Sequence, residues 1–237
     1  MTTSMAGSAS RVSRQQRAEE FVREVLELCA GSKRAQADLR SGLGLPYDRC
    51  QRMHRHLMRL VPDGMRQPEA RRPYYVVASL IAARSRRTRD EDAERDATPP
   101  QATPSSERSQ AAGLGGAGAA AWWQRPNLGA TLAGAVNQKL MAAGSAESEL
   151  HLLARVGSDS LHARLPALIG QVHGRGVVVD WAVLLEDLAW WDYSQDRIVT
   201  RWLESYFRTR DFAERAAAKA EAAVGKDSSD DDCEEQQ

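Results

Sequence analysis

The stretch Val178–Phe207, VVDWAVLLEDLAWWDYSQDRIVTRWLESYF, holds four of the six tryptophans and constrains the fold more than any other part of the chain. Asp180 suits the N-cap of a helix, because its carboxylate can accept a free N–H of the opening turn. Trp181, Leu184, Leu185, Leu188 and Trp191 then recur at steps of three and four, which gives one apolar helical face. Asp192-Tyr193-Ser194 interrupts the pattern. Ile198, Val199, Trp202, Leu203, Tyr206 and Phe207 rebuild it on a second helix. So short a connection favours an antiparallel pair. Aromatics that each bury roughly 150–250 Å² would make that pair the heart of a bundle, as packing rather than as a cofactor box.

The formal net charge of zero conceals an asymmetry. Residues 11–89 carry 18 Lys+Arg against 8 Asp+Glu, whereas residues 211–237 carry 3 against 9. A basic front half with acidity elsewhere points to a polyanionic partner, or else to a solvated basic surface. No apolar run approaches the roughly 20 residues of a membrane helix. The opening MTTSMAGSASR lacks a signal-peptide core, so a cytoplasmic protein is expected. Three cysteines without a CxxC pair argue against a disulfide framework. Cys29 and Cys50 fall on apolar faces and read as reduced core thiols.

In chain order, residues 1–10 are small, polar and expected to be disordered. A basic helical domain follows over 11–89. Its first helix runs from Arg14 to Ala30. A short second helix, capped by Ser32, bears Lys33, Arg34 and Arg40. A third spans Pro46 to Val61, with Tyr47, Cys50, Met53, His54, Leu57 and Val61 on one side. Arg49, Arg52, Arg55, His56 and Arg59 crowd the other side, where they repel one another unless anions or acids lie near. A fourth helix opens at Pro73 and is apolar nearly all round from Tyr74 to Ala83. Residues 90–121 are low in bulky apolar groups and read as a flexible linker.

Residues 122–212 read as a C-terminal helical bundle. One helix spans Asn127–Ala143, another is capped by Ser145, and a third, capped by Ser158 or Asp159, is kinked at Pro166. Residues 213–237 read as an Ala-rich helix fading into a disordered acidic tail. The fold class is therefore all-α, with two helical units joined by a disordered linker.

Catalytic patterns are missing. There is no GxxxxGK[ST], HExxH or GxSxG, and the GLGGAG run lacks the preceding strand of a dinucleotide site. Glu186, Asp187 and Asp192 read as helix-surface acids, and the five histidines form no ligand set or nucleophile–base pattern. Neither a cofactor nor a metal nor a small-molecule substrate is expected, and the chain does not read as an enzyme.

Four segments, in this order and spacing, resemble the CasB family, the small subunit of the type I-E CRISPR Cascade complex. They are GSKRAQADLR, YYVVASLIAA, NLGATLAGA and VDWAVLLEDLAWWD followed by WLESYF. The resemblance implies a non-catalytic subunit present as two stacked copies. It would touch the backbone and large subunits, the crRNA, the target DNA and the displaced strand, and stabilise the R-loop. Strand-holding residues on this reading are Lys33, Arg34, Arg40, Arg49, Arg52, Arg59, Arg155, Arg164 and Arg175. Arg40 matches the front motif, and Arg59 the basic position before Leu60-Val61. The chain departs from the family at Ala130, where Arg is usual, and at Ser148 and Glu149, where basic residues are usual. Only Arg164, with Pro166 close behind, represents an expected double arginine. The front unit is thus expected to carry more of the strand-holding charge. Alternatives are an autonomous helical DNA-binding regulator, although the third helix lacks base-reading Asn or Gln, and a pure protein-interaction bundle.

Overall fold

The computed structural model describes residues 4–62, 64–65, 67–84, 122–172 and 177–230, and all regular structure among them is helical. The helices are α1 (Ser4–Gly31), α2 (Lys33–Arg40), α3 (Gln51–Leu57), α4 (Pro68–Ala83), α5 (Leu128–Asn137), α6 (Ala143–Leu153), α7 (Ser158–Val172), α8 (Trp181–Ala189) and α9 (Trp191–Asp230). Single 3-10 turns lie at Tyr47–Arg49 and Trp122–Gln124. The segment 90–121, Arg175 and Cys233 lie outside the described residues.

The tryptophan-rich stretch builds the centre as its periodicity implies. The Asp180 side chain accepts from the Val183 N–H at 3.1 Å and caps α8. Trp181, Leu184, Leu185, Leu188 and Trp191 are all buried. The backbone leaves helical geometry at Ser194 (φ −147°, ψ 30°), within the polar interruption. Beyond it Ile198, Val199, Trp202 and Tyr206 are buried, whereas Phe207 is about half exposed. Trp191 and Trp202 sit with ring centroids 5.2 Å apart. Each indole N–H is satisfied, Trp191 by the Val156 carbonyl at 3.2 Å and Trp202 by Asp187 Oδ2 at 2.7 Å.

The main partner of α9 is α5 rather than α8. Gly129 explains this. A Cβ there would stand 1.8 Å from the Trp202 carbonyl oxygen, so only glycine lets the two backbones close to contact. Asn127 adds polar fasteners: its Oδ1 caps α5 at the Ala130 N–H, and its Nδ2 donates to Ser205 Oγ (2.8 Å) and the Arg201 carbonyl (3.3 Å).

The apolar interior runs without a break through both halves of the chain. α1 and α4 both pack on α8, and Phe21 meets Tyr74 edge to face at 4.9 Å. Two guanidiniums reinforce this seam. Arg84 lies 5.4 Å from the Trp181 ring centroid. Arg125 grips Asp180 at 2.6 and 2.9 Å, reaches Glu19 on α1, and covers the Trp122 ring at 4.7 Å. Burial opposes the charge of Arg125, but the Asp180 and Glu19 carboxylates together outweigh it and hold the proton more tightly than usual. Trp122 thus docks within the chain, while Trp123 is 76% exposed.

Element ends depart from the sequence expectation in five places. α1 starts at Ser4 instead of Arg14, since no proline precedes Arg14 to stop the helix. The third helix is broken at Cys50 (φ −85°, ψ 38°) into a 3-10 turn and the seven-residue α3. α4 opens at Pro68, a favoured first position, and carries Pro73 inside. The helix at Asn127 ends by Asn137, where Lys139 takes φ 59°, and α6 starts after Ala142 with no side-chain cap from Ser145. α9 continues through the Ala-rich segment to Asp230, well into the acidic stretch expected to be disordered.

His162 on α7 is 3% exposed, and both ring nitrogens lack a hydrogen-bond partner among the described residues. Burial, with the Arg72 guanidinium adding to it, pushes its pKa down to about 3. The folded state holds this ring neutral, whereas the unfolded chain protonates it near pH 6.5. Its contribution is present above pH 6.5 and is lost as the pH falls towards 3. His162→Leu should therefore flatten the acid limb of the urea midpoint between pH 6.5 and 4. An identical limb in both proteins would refute the assignment.

Candidate nucleic-acid interface

α2 forms because Ser32 Oγ accepts the Ala35 N–H at 3.2 Å and because Ala35 and Leu39 are buried. Lys33 and Arg34 then fall in its first turn and Arg40 in its last, all exposed. The first two sit at the positive end of the helix dipole, where a cation costs roughly 0.3–1 kcal/mol. Local helix stability therefore does not account for them.

In the next segment Cys50, Met53, Leu57 and Val61 are buried, and Arg49, Arg52, Arg55 and Arg59 are exposed. The break at Cys50 places Arg49 in the 3-10 turn, and Arg59 lies past the end of α3. The four are therefore spread over a 3-10 turn, a short helix and the residues after it, not along one straight helix face. Asp38 on α2 takes two of the basic groups as structural partners: His56 Nε2 at 3.0 Å and, loosely, Arg55 Nε at 3.9 Å. The His56 hydrogen bond is the main cause that holds the Asp38 carboxyl below its usual range, with Arg55 and Arg34 assisting against desolvation. His54 lies against the core and shares a 2.8 Å hydrogen bond with the Tyr75 hydroxyl. Lys33, Arg34, Arg40, Arg49, Arg52 and Arg59 meet no carboxylate within ion-pair distance among the described residues.

The remaining candidates are weaker. Arg155 is exposed beyond α6, without a carboxylate partner among the described residues. Arg164 on α7 stands 3.7 Å from Glu149, so an acid at a position where a basic residue was expected offsets this arginine. Arg175 lies outside the described residues. The structure thus gathers six cations on α2 and the Tyr47–Leu60 segment, while the back half contributes Arg155 and a partly offset Arg164.

Several residues that hold this frame were not legible from pattern. Asp187 is 2% exposed and accepts both the Trp202 indole and the Arg201 guanidinium, so it is a core acid and not a surface one. Glu186 is half-buried, and burial raises its pKa although Arg14, Arg17 and Arg201 pull it down. Asp192 alone of that trio is exposed. A buried acid at helical spacing among apolar residues is a faint sequence signal for such a role. Cys29 and Cys50 are both buried, and Cys50 is a free thiol. Among the described residues there is no group of three His, Cys, Asp or Glu able to hold a metal, and no helix long and apolar enough to cross a membrane.

Among the described residues the fold is an all-helical scaffold with exposed cations on α2 and the segment that follows it. The family model for CRISPR-associated protein Cse2 matches residues 35–207. The chain belongs to this family, the Cse2 or CasB family. A chain of a solved CRISPR RNA-guided surveillance complex is 30% identical, covers 86% of this chain and 99% of its own, and superposes with a TM-score of 0.67. Another, from a pre-nicking surveillance complex, is 32% identical over 86% of this chain and 98% of its own, also at 0.67. The crystal structure of M. ruber CasB shares the fold at 20% identity, with a TM-score of 0.63 over 84% and 97%. No curated protein matches by sequence.

Proposed function

We propose that this chain is a non-catalytic subunit of a CRISPR RNA-guided surveillance complex, where its cationic front edge holds nucleic-acid backbones and so stabilises the opened target. The observation that carries this reading is the set of six exposed cations from Lys33 to Arg59 without carboxylate partners among the described residues. Phosphate oxygens would supply the missing counter-charge, and they bind without reading sequence. Guide pairing then selects the target, while the protein keeps strands apart, as in another RNA-guided effector. The partners are other subunits of the complex, a second copy of this chain, crRNA, target DNA and the displaced strand. Arg155, and Arg164 to a lesser degree, extend the contact to the back half.

The isolated chain should bind single strands weakly and without sequence preference. Log affinity against log salt should fall with a slope of roughly −0.7 per contacted phosphate. Arg52→Glu together with Arg59→Glu should flatten that slope by one to two contacts, read by anisotropy of a labelled oligothymidylate. An unchanged slope would remove the front edge from the interface, and salt-independent assembly without strand protection would favour the protein-interaction reading. In a reconstituted complex, the same variant should reduce permanganate reactivity of the opened strand.

A further inference from the structure

The junction of α8 and α9 carries an aromatic ledge that strand-holding does not use. Trp190 caps α8, and Tyr193 precedes the kink at Ser194; their ring centroids lie 5.7 Å apart at 59°. Tyr193 is 81% exposed and Trp190 37%. The inner ring is already held: the Arg14 guanidinium lies 4.5 Å from its centroid. The outer ring has no such cover. Asp192 and Asp196 flank it, both exposed and neither within ion-pair distance of a cation among the described residues.

Arg14, Arg17 and Arg201 all bear on Glu186. That leaves Arg197 as the exposed cation adjoining these carboxylates in sequence. A polyanion approaching Tyr193 would meet two carboxylates. A guanidinium would instead find an exposed aromatic face with two exposed acids close to it in sequence, the two elements that attract it. Trp, Tyr and Arg are also the side chains that dominate protein interfaces. We propose that the Trp190–Tyr193 ledge, with Asp192 and Asp196, is a docking point for an arginine-bearing segment of a neighbouring protein. The incoming arginine would repeat on Tyr193 the contact that Arg14 makes on Trp190. The proposal draws on the preceding reading only in requiring a protein neighbour.

The test is a titration of the full-length chain with a short glycine–arginine peptide. It follows the indole N–H resonances, with that of Trp190 assigned from Trp190→Phe. A saturable shift is expected. It should weaken about 3- to 10-fold in Tyr193→Ala, and similarly in Asp192→Asn with Asp196→Asn, but persist in Tyr193→Phe. A glycine–glutamate peptide should leave the resonance in place. All three positions are exposed, so an unchanged helical spectrum shows that the variants are folded. Arginine-peptide binding indifferent to both substitutions would overturn the proposal. So would a Tyr193-dependent shift caused by oligothymidylate, which would make the ledge a base-stacking site. The salt slope set by Arg52 and Arg59 is scored separately, so either reading can fail without the other.

Discussion

Gly129→Ala is expected to destabilise the protein by about 3 kcal/mol or more, a large effect for the addition of one methyl group. The new carbon would lie 1.8 Å from the Trp202 carbonyl oxygen and 2.6 Å from its carbon. These are backbone atoms, so no rotamer change relieves the clash, and α5 must move away from α9. That movement would also stretch the Asn127 bonds to Ser205 and Arg201. Gly134→Ala, on the same helix, is the control. Nothing lies within 4 Å of its would-be Cβ, and alanine favours a helix over glycine by about 1 kcal/mol. It should be neutral or stabilising. Urea midpoints at constant m would compare the two. Equal behaviour would show that α5 and α9 do not meet as closely as described.

Asp187→Ala should cost about 3–5 kcal/mol, the range for removing one partner from a buried charged pair. The carboxylate accepts the buried Trp202 indole at 2.7 Å and the Arg201 guanidinium, so its loss leaves a buried donor unpaired and Arg201 with the Glu186 carboxylate as its nearby counter-charge. Asp187→Asn keeps an acceptor for one of them and should lose less. Equilibrium unfolding, with near-ultraviolet circular dichroism reporting on Trp191 and Trp202, would resolve the order. A loss of under about 1 kcal/mol in Asp187→Ala would return the residue to the surface role that its sequence context suggests.

Both residues lie inside motifs that the sequence made visible, yet their roles did not show there. NLGATLAGA is readable as a helix start, with Asn127 a cap by its chemistry and the apolar pattern giving one face. What the pattern cannot encode is the surface opposite, which here is the backbone of Trp202, 73 residues downstream. Asp187 lies between Leu185 and Leu188 and looks like the polar member of an amphipathic turn. It is buried because α9 brings Trp202 and Arg201 to it. The cationic edge shows the converse. Exposure of Lys33, Arg34, Arg40, Arg49, Arg52 and Arg59 follows from charge and helical spacing alone, and holds even though the expected straight helix breaks at Cys50. Withdrawal of Arg55 and His56 to Asp38 needed the fold, because α2 had to pack beside α3.

The amino-acid order by itself determined an all-helical chain, the buried face of nearly every helix, the cap at Asp180 and the cationic edge. Each of these depends on neighbours within one or two turns, where period and side-chain chemistry act directly. Tertiary structure alone decided that α9 pairs with α5, that Asp187 is a buried clamp and Arg125 a partly buried one, and that one apolar interior spans both halves. Those outcomes depend on contacts between residues dozens of positions apart, whose geometry no local period fixes.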